Sequence, residues 1–366
     1  MGFREFIGNE TVVRRLRETV AAGRVPQAMI LAGARGSGKY TLALMFARLV
    51  NCLEPAESDG LPDYCGRCRN CERIGESEDL NARMAEAVAA REDLRETDKR
   101  ETRILVQTHP DVMVIPPDPP QMLIKVGQVR QVIHNAYYRP PSEGRRAVFI
   151  FTSSALMKEA ANSLLKVMEE PPAHCTLMLL SENPAELLPT IRSRAVLHRL
   201  HAAPTETLEV LLAERRRDLK PAQRTLVAHL AEGAVGRALG FDLEAWTASR
   251  SDALVVLRTA LRQPDDSALF RMTESYRAGA DGQAKTQGLL RALHSLVEDL
   301  LLAHAGAGNL MRNRDLTTEL EAMAHGIDME WLERAGREMH AVDAGMRRNL
   351  LRSLSLDAMA AGMTKA

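Results

Sequence analysis

Short apolar runs alternate with amphipathic stretches as far as residue 200, and beyond residue 204 only amphipathic stretches remain. Val12, Leu16 and Val20 recur at helical spacing within 3–23. Ala28–Ala32, Val112–Ile115 and Ala147–Phe151 are apolar runs of buried-strand length, joined by 176–180 and 196–200. Helical patterns fill 41–50, 126–137 and 159–170, the last halted by Pro171-Pro172. Strands alternating with helices predict a doubly wound parallel sheet, hence an α/β fold. Segments 207–217, 221–232 and 236–246 predict a small helical domain, and 251–361 several longer helices, one striped by Leu289, Leu293, Leu296 and Leu300. The expected division is 1–201, 202–248 and 249–366, α/β followed by all-α. Residues 76–103 are dense in charge of both signs and predict a solvated helical insertion or a mobile arm.

Composition narrows the function classes. Lys plus Arg number 48 and so do Asp plus Glu, so a grip on nucleic acid through bulk positive charge is not indicated and any such contact needs a local patch. No apolar run is long enough to span a bilayer, and the first residues lack the apolar core of a signal peptide, which points to a cytoplasmic protein without membrane contact. In that compartment thiols stay reduced, and clustered cysteines indicate metal rather than disulfide.

Between the first strand and the helix at 41–50 stands Gly33-Ala-Arg-Gly36-Ser-Gly38-Lys39-Tyr40-Thr41. Strand, glycine loop and helix are the context of a phosphate-binding loop. Glycines let backbone N–H groups face phosphate oxygens, and Lys39 would reach the β- and γ-phosphates of ATP or ADP. The alternative is a glycine-rich turn without ligand. The position after the lysine should carry Ser or Thr for Mg²⁺; Tyr40 is too long for that task, and Thr41 comes one residue late. The strand ending at Phe151 should close on Asp-Glu to hold the metal and the attacking water, but Thr152-Ser153 stand there. Two losses at one site argue against efficient hydrolysis and leave the Mg²⁺ site doubtful. Glu169 or Glu170 as a general base competes with a simple exposed helix end.

Cys52 is followed by twelve residues of expected loop and then Cys65-Gly-Arg-Cys68-Arg-Asn-Cys71. Four thiolates complete a closed tetrahedral Zn²⁺ shell, a structural site. A redox Cys-x-x-Cys lacks its usual surroundings here. His109 is the alternative fourth ligand, though it precedes Pro110-Asp111-Val112 and is expected to start a strand. Cys175, alone among apolar residues, is expected in the core.

Taken together, Ile7-Gly-Asn-Glu10, the glycine loop, the cysteine insertion, His109-Pro-Asp111, Asn162-Ser-Leu-Leu-Lys166 with Glu169-Glu-Pro-Pro172, and Thr190-Ile-Arg-Ser-Arg194 resemble the bacterial sliding-clamp loaders, AAA+ subunits of DNA polymerase III. The motifs cover about residues 3–200. The resemblance implies an AAA+ RecA-like domain, a helical lid and a C-terminal helical collar. Gly236-Arg237-Ala238 looks like the lid motif with which that family senses nucleotide. The missing acid pair sets the chain apart from the motor subunits and resembles the ATPase-poor stator. Such a subunit sits in a ring with the gamma/tau motors and the delta subunit, which loads the sliding clamp on primed DNA. The arginine matching Arg194 projects into a neighbour's ATP site in that family. The family's Ser-Arg-Cys is Ser193-Arg194-Ala195 here. Two other readings remain: an active AAA+ motor using Lys39, Thr41 and an acid such as Glu182, and a zinc-dependent DNA-binding module.

Overall fold

The computed structural model describes residues 2–119, 121–138, 141–262, 266–276, 279–346 and 352–364. Two compact units result: Met1–Leu208 with Gly233–Arg237, and Glu209–Glu232 with Ala238–Ala366.

In the first unit the strands are β1 (Ala28–Ala32), β2 (Ala56–Ser58), β3 (Leu61–Asp63), β4 (Val106–His109), β5 (Val112–Ile115), β6 (Ala147–Phe151), β7 (Cys175–Ser181) and β8 (Val196–Arg199). The helices are α1 (Glu10–Ala21), α2 (Lys39–Asn51), α3 (Arg69–Gly75), α4 (Leu80–Glu92), α5 (Glu96–Glu101), α6 (Val126–Tyr138), α7 (Lys158–Glu169) and α8 (Pro189–Arg192). Six strands form one sheet in the order β4-β5-β6-β7-β1-β8, parallel from β5 to β8 and closed at one edge by antiparallel β4.

Every residue of β1, β5, β6 and β7 is buried, because helices cover both faces. The pleat still sorts them. Met29, Leu31, Val114, Ile150 and Met178 pack with α1 and α2, while Ile30, Ile115, Phe149, Phe151 and Leu179 pack with α6 and α7.

The structure corrects several local expectations. The stretch between Cys52 and Cys65 is not all loop: β2 and β3 form an antiparallel hairpin around Asp59-Gly60, both with positive φ (53° and 72°). That is the backbone a two-residue primed turn requires. Arg17, only 5% exposed on α1, clamps the hairpin through the carbonyls of Leu61 (2.8 Å) and Pro62 (3.0 Å). His109 ends β4 rather than starting a strand. The 76–103 insertion is helical and solvated as expected: it holds α4 and α5, no residue of α4 is buried, and Arg91 ties it to the buried Asp118 at 2.6 Å. Cys175, by contrast, is fully buried in the core as expected.

The second unit is helical. Leu289, Leu293, Leu296 and Leu300 are all fully buried along Gly279–His304, in one core with Leu257, Trp331 and Met359. The expected helix over 236–246 is broken in two, Val235–Leu239 and Leu243–Arg262, with Asp242 capping the second through the Ala245 N–H at 2.9 Å.

Asp111 pins the segment that leads into β6. Its carboxylate accepts the backbone N–H groups of Ser142 (2.9 Å), Glu143 (2.9 Å) and Gly144. Burial acts to raise its pKa, but these amides outweigh it and hold the carboxyl below its usual value. A depressed folded value means stability present above the unfolded carboxylate value of about 4 and lost as pH falls through the folded one. Asp111→Asn should therefore destabilise the first unit by about 1–3 kcal/mol at neutral pH, with the gap to the unaltered chain closing below about pH 4. Denaturant titrations over a pH series measure it; a gap independent of pH would contradict the ionised-acceptor role.

Candidate nucleotide loop and cysteine cluster

The glycine loop follows β1 and opens α2. Gly33 N–H donates to the Ser181 carbonyl at the end of β7 (3.1 Å), and Ser37 N–H to Ala34 (3.1 Å). Gly36 and Gly38 have φ of 82° and 87°, conformations that side chains resist. Close approach adds a second reason. A Cβ on Gly36 would lie 2.7 Å from Arg237 N, and one on Gly38 about 3.0 Å from the Phe6 ring. Gly236 N–H donates to the Gly36 carbonyl at 2.7 Å. The structure thus brings Gly33, Gly36, Gly38, Lys39 and the backbone of Arg237 together.

Lys39 Nζ donates to the carbonyls of Gly33 (2.6 Å) and Ala34 (2.8 Å), closing the loop on itself. Burial holds its ammonium below the usual lysine value, while the Glu182 carboxylate opposes that shift. Tyr40 turns away from the loop: its hydroxyl donates to the Ser77 carbonyl at 2.6 Å. Burial, assisted by Glu78, pushes the phenol's pKa up, so it remains a neutral donor. Thr41 is exposed. At the end of β6, Thr152 N–H continues the sheet to Ile115 (3.1 Å) and Ser153 Oγ accepts the Ala155 N–H (3.0 Å), so these residues serve the backbone and offer no carboxylate. Two hydroxyls that sequence reasoning missed, Ser37 Oγ and Ser181 Oγ, are buried beside the loop without a partner. The signal for Ser181 was a polar residue ending an otherwise apolar strand.

Arg194 follows α8. Its guanidinium donates to the Thr190 carbonyl (3.1 Å) and pairs with Glu169 at the end of α7 (2.9 Å), both side chains partly exposed.

The Sγ atoms of Cys52, Cys65, Cys68 and Cys71 lie within 4.8 Å of one another, all free thiols. Cys52 Sγ is 3.5 Å from Cys65 Sγ and 3.9 Å from Cys68 Sγ. A Zn–S bond of about 2.3 Å gives a tetrahedral edge of about 3.8 Å, so the donor set fits a zinc ion and could hold one. Cys52 is the fourth member of the cluster; His109 is instead fully buried, its Nδ1 accepting the Asp111 N–H at 3.1 Å. Burial acts to raise the Cys68 thiol, but the N–H groups of Cys71 and Leu53 and the neighbouring thiols outweigh it and bring it down to about 6. Burial pushes Cys52 and Cys71 up. The knuckle arginines are engaged, Arg67 with Glu54 (3.5 Å) and Arg69 with Glu143 (3.0 Å).

A mostly parallel sheet with the glycine loop after β1, a cysteine cluster just beyond the following helix and a helical C-terminal region resembles the fold of AAA+ clamp-loader subunits. The family model described as DNA polymerase III, delta subunit, matches residues 8–204, and the chain belongs to that family. Among curated relatives, the chain is 31% identical over 169 residues to DNA polymerase III subunit delta' of Pseudomonas aeruginosa, covering 46% of this chain and 41% of that protein. It is 26% identical over 317 residues to the delta' subunit of Yersinia pestis, covering 85% and 81%. It is also 27% identical over 336 residues to the tau subunit of Salmonella typhimurium, covering 90% of this chain but only 42% of that protein. These matches support a delta'-like clamp-loader subunit. Among the described residues no helix is long and apolar enough to cross a membrane.

The cluster leads to an expected metal stoichiometry. The purified chain should carry one Zn²⁺, and Co²⁺ in its place should give a tetrahedral tetrathiolate spectrum. Cys52→Ser should lose the metal and raise amide exchange across α3. Full metal retention in that variant would remove Cys52 from the shell.

Proposed function

We propose that the chain is the ATPase-poor stator of a bacterial sliding-clamp loader, in the cytoplasm. It would assemble with gamma/tau motor subunits and a delta subunit, and the assembly would load the clamp on primed DNA. On this reading Arg194 enters the ATP site of a neighbouring subunit, where a guanidinium stabilises charge on the transferring phosphoryl group. The observation that carries the reading is the paired loss at the chain's own site. Tyr40 is committed to Ser77, and β6 ends in Thr152-Ser153, so neither position offers an oxygen suited to Mg²⁺. Zinc at Cys52, Cys65, Cys68 and Cys71 is structural, fastening α3 to α2. Gly33, Gly36, Gly38, Lys39 and Arg237 keep a loop that takes ATP or ADP without turning it over. Residues 202–248 act as the lid and 249–366 as the collar that holds the ring.

Arg194 is suited to work in trans because little holds it at home. Its partner Glu169 is about half exposed, and a surface pair of that kind is worth about 0–1 kcal/mol. One observation favours the active-motor reading instead: the Glu182 carboxylate acts on Lys39, as an acid at a motor site would. Nothing comparable favours the DNA-binding module.

The two readings part on one experiment. Clamp- and DNA-stimulated ATP hydrolysis is measured in loader reconstituted with this chain or its Arg194→Ala variant, with assembly verified for both. Hydrolysis at the contacted site should fall by on the order of 10³ or more, and the isolated chain should show no turnover. An unchanged rate would dismiss the trans role; turnover by the isolated chain abolished in Glu182→Gln would establish the motor.

A further inference from the structure

The glycine loop is not the only place where cations meet free backbone amides. A cleft of about 710 Å³ in the first unit lies between the start of α1, the end of β8 and the segment 201–207. No residue of the 33–41 loop lines it.

The start of α1 is left open. Asn9, the N-cap residue, is left-handed (φ 58°) and makes no cap bond to the helix. Its side chain is diverted to His201, accepting that residue's N–H at 2.6 Å and donating to its carbonyl at 3.2 Å. The amides of Val12 and Val13 reach the Asn9 carbonyl, which leaves those of Glu10 and Thr11 uncapped at the positive end of a 12-residue helix. Both residues line the cleft.

An independent observation comes from β8. His198 lines the same cleft, is only 7% exposed, and its Nε2 has no hydrogen-bond partner. A buried polar atom left unpaired is costly, and a ligand in the cleft would supply the missing partner. Arg15 on α1 and Arg199 on β8 line the opening, and among the described residues neither pairs with a carboxylate. Glu10 is the one acid at the rim.

We propose that this cleft binds a small phosphate-bearing ligand, its anionic oxygens against the start of α1 and its charge countered by Arg15 and Arg199, with His198 Nε2–H as the buried donor. The volume suits a ligand of nucleotide size or smaller. The site is independent of the glycine loop and of the proposed stator role.

Charge also sets the pH dependence. Burial and Arg15 together hold His198 toward its neutral form. A bound anion opposes both Arg15 and Arg199 and favours the imidazolium; Glu10 and His201 are the other titratable groups that line the cleft. Affinity should therefore rise as pH falls from about 8 to about 6.

The test titrates the full chain with inorganic pyrophosphate, and in parallel with ADP, while recording histidine side-chain resonances and binding heats. A saturable response at His198 is expected, weakened about tenfold or more in the Arg15→Ala/Arg199→Ala double variant. Both arginines are exposed, so the double variant keeps the fold. Glu10→Gln should tighten binding, and Lys39→Ala should leave the His198 response intact. Pyrophosphate without ADP would identify a free phosphate ligand, and ADP with the same arginine dependence a nucleotide; either supports the site. Two results would overturn it: no saturable His198 response at millimolar pyrophosphate, or a response kept by the double variant and lost in Lys39→Ala, which would place the anion on the glycine loop.

Discussion

The burial of α2 is the constraint on which the first unit is built. Every residue from Leu42 to Asn51 is buried, so beyond its first turn this helix has no solvent face. One side lies on the sheet, against Met29, Leu31 and Met178. The other must be covered by something else, and the cysteine lobe covers it. The two polar residues trapped on α2 show how tightly. Arg48 donates to the Cys71 carbonyl (3.0 Å) and pairs with Glu78 (2.7 Å), and Asn51 Oδ1 accepts the N–H groups of Arg145 and Arg146 (2.9 Å each). Left unpaired, such groups would each cost about 1–3 kcal/mol. The glycine loop opens this helix and Cys52 closes it, so the two candidate sites are opposite ends of one rigid rod.

That arrangement explains how the glycine loop keeps its shape without a ligand. The backbone is fixed by partners that need no ligand: Ser181 at Gly33, Gly236 at Gly36, and the loop's own carbonyls at Lys39. Tyr40 then becomes a structural residue. A serine or threonine there could not reach Ser77, whereas the phenol bridges the first turn of α2 to the end of the cysteine lobe. Ser77 Oγ continues the link to Thr108 on β4 (2.8 Å). A shorter hydroxyl side chain at position 40 would break this packing contact.

Much of this was legible in residue patterns. Four parallel strands announced themselves because full burial leaves continuous apolar runs, and the cysteines because metal geometry demands close spacing; β8 showed as an apolar run although most of it is exposed. The hairpin at Asp59-Gly60 was missed although its turn dipeptide is a strong signal, since Ala56, Glu57 and Pro62 show no apolar alternation; Arg17 and Asp63 hold it through polar contacts instead. Antiparallel β4 was missed for a related reason. Gln107 and Thr108 interrupt it, and its pairing with β5 carries an irregularity between Val106 and His109. The break after Leu239 was written in Gly240 and Asp242, a stop and a cap that a helical stripe on both sides concealed. The open start of α1 could not be seen at all, because an asparagine at an N-cap position predicts a cap, and only the fold reveals that its side chain serves His201.

The contrast between Arg194 and Arg146 shows what separates a guanidinium available for work from one consumed by the fold. Arg146 donates to the Cys175 carbonyl (2.9 Å) and to Thr176 Oγ1 (2.5 Å), and burial lowers its pKa. Moving it would strand several buried acceptors at once. Arg194 has one carboxylate and one carbonyl, both on exposed helix ends. Exchanging the carboxylate for a phosphate trades one charge-assisted contact for another of equal or greater strength, and Glu169 returns to water at little cost. The same accounting holds for Arg15 and Arg199, which have no carboxylate to give up. Sequence places arginines in great number along this chain; only their partners distinguish those that hold the structure from those still free to meet a ligand or a neighbour.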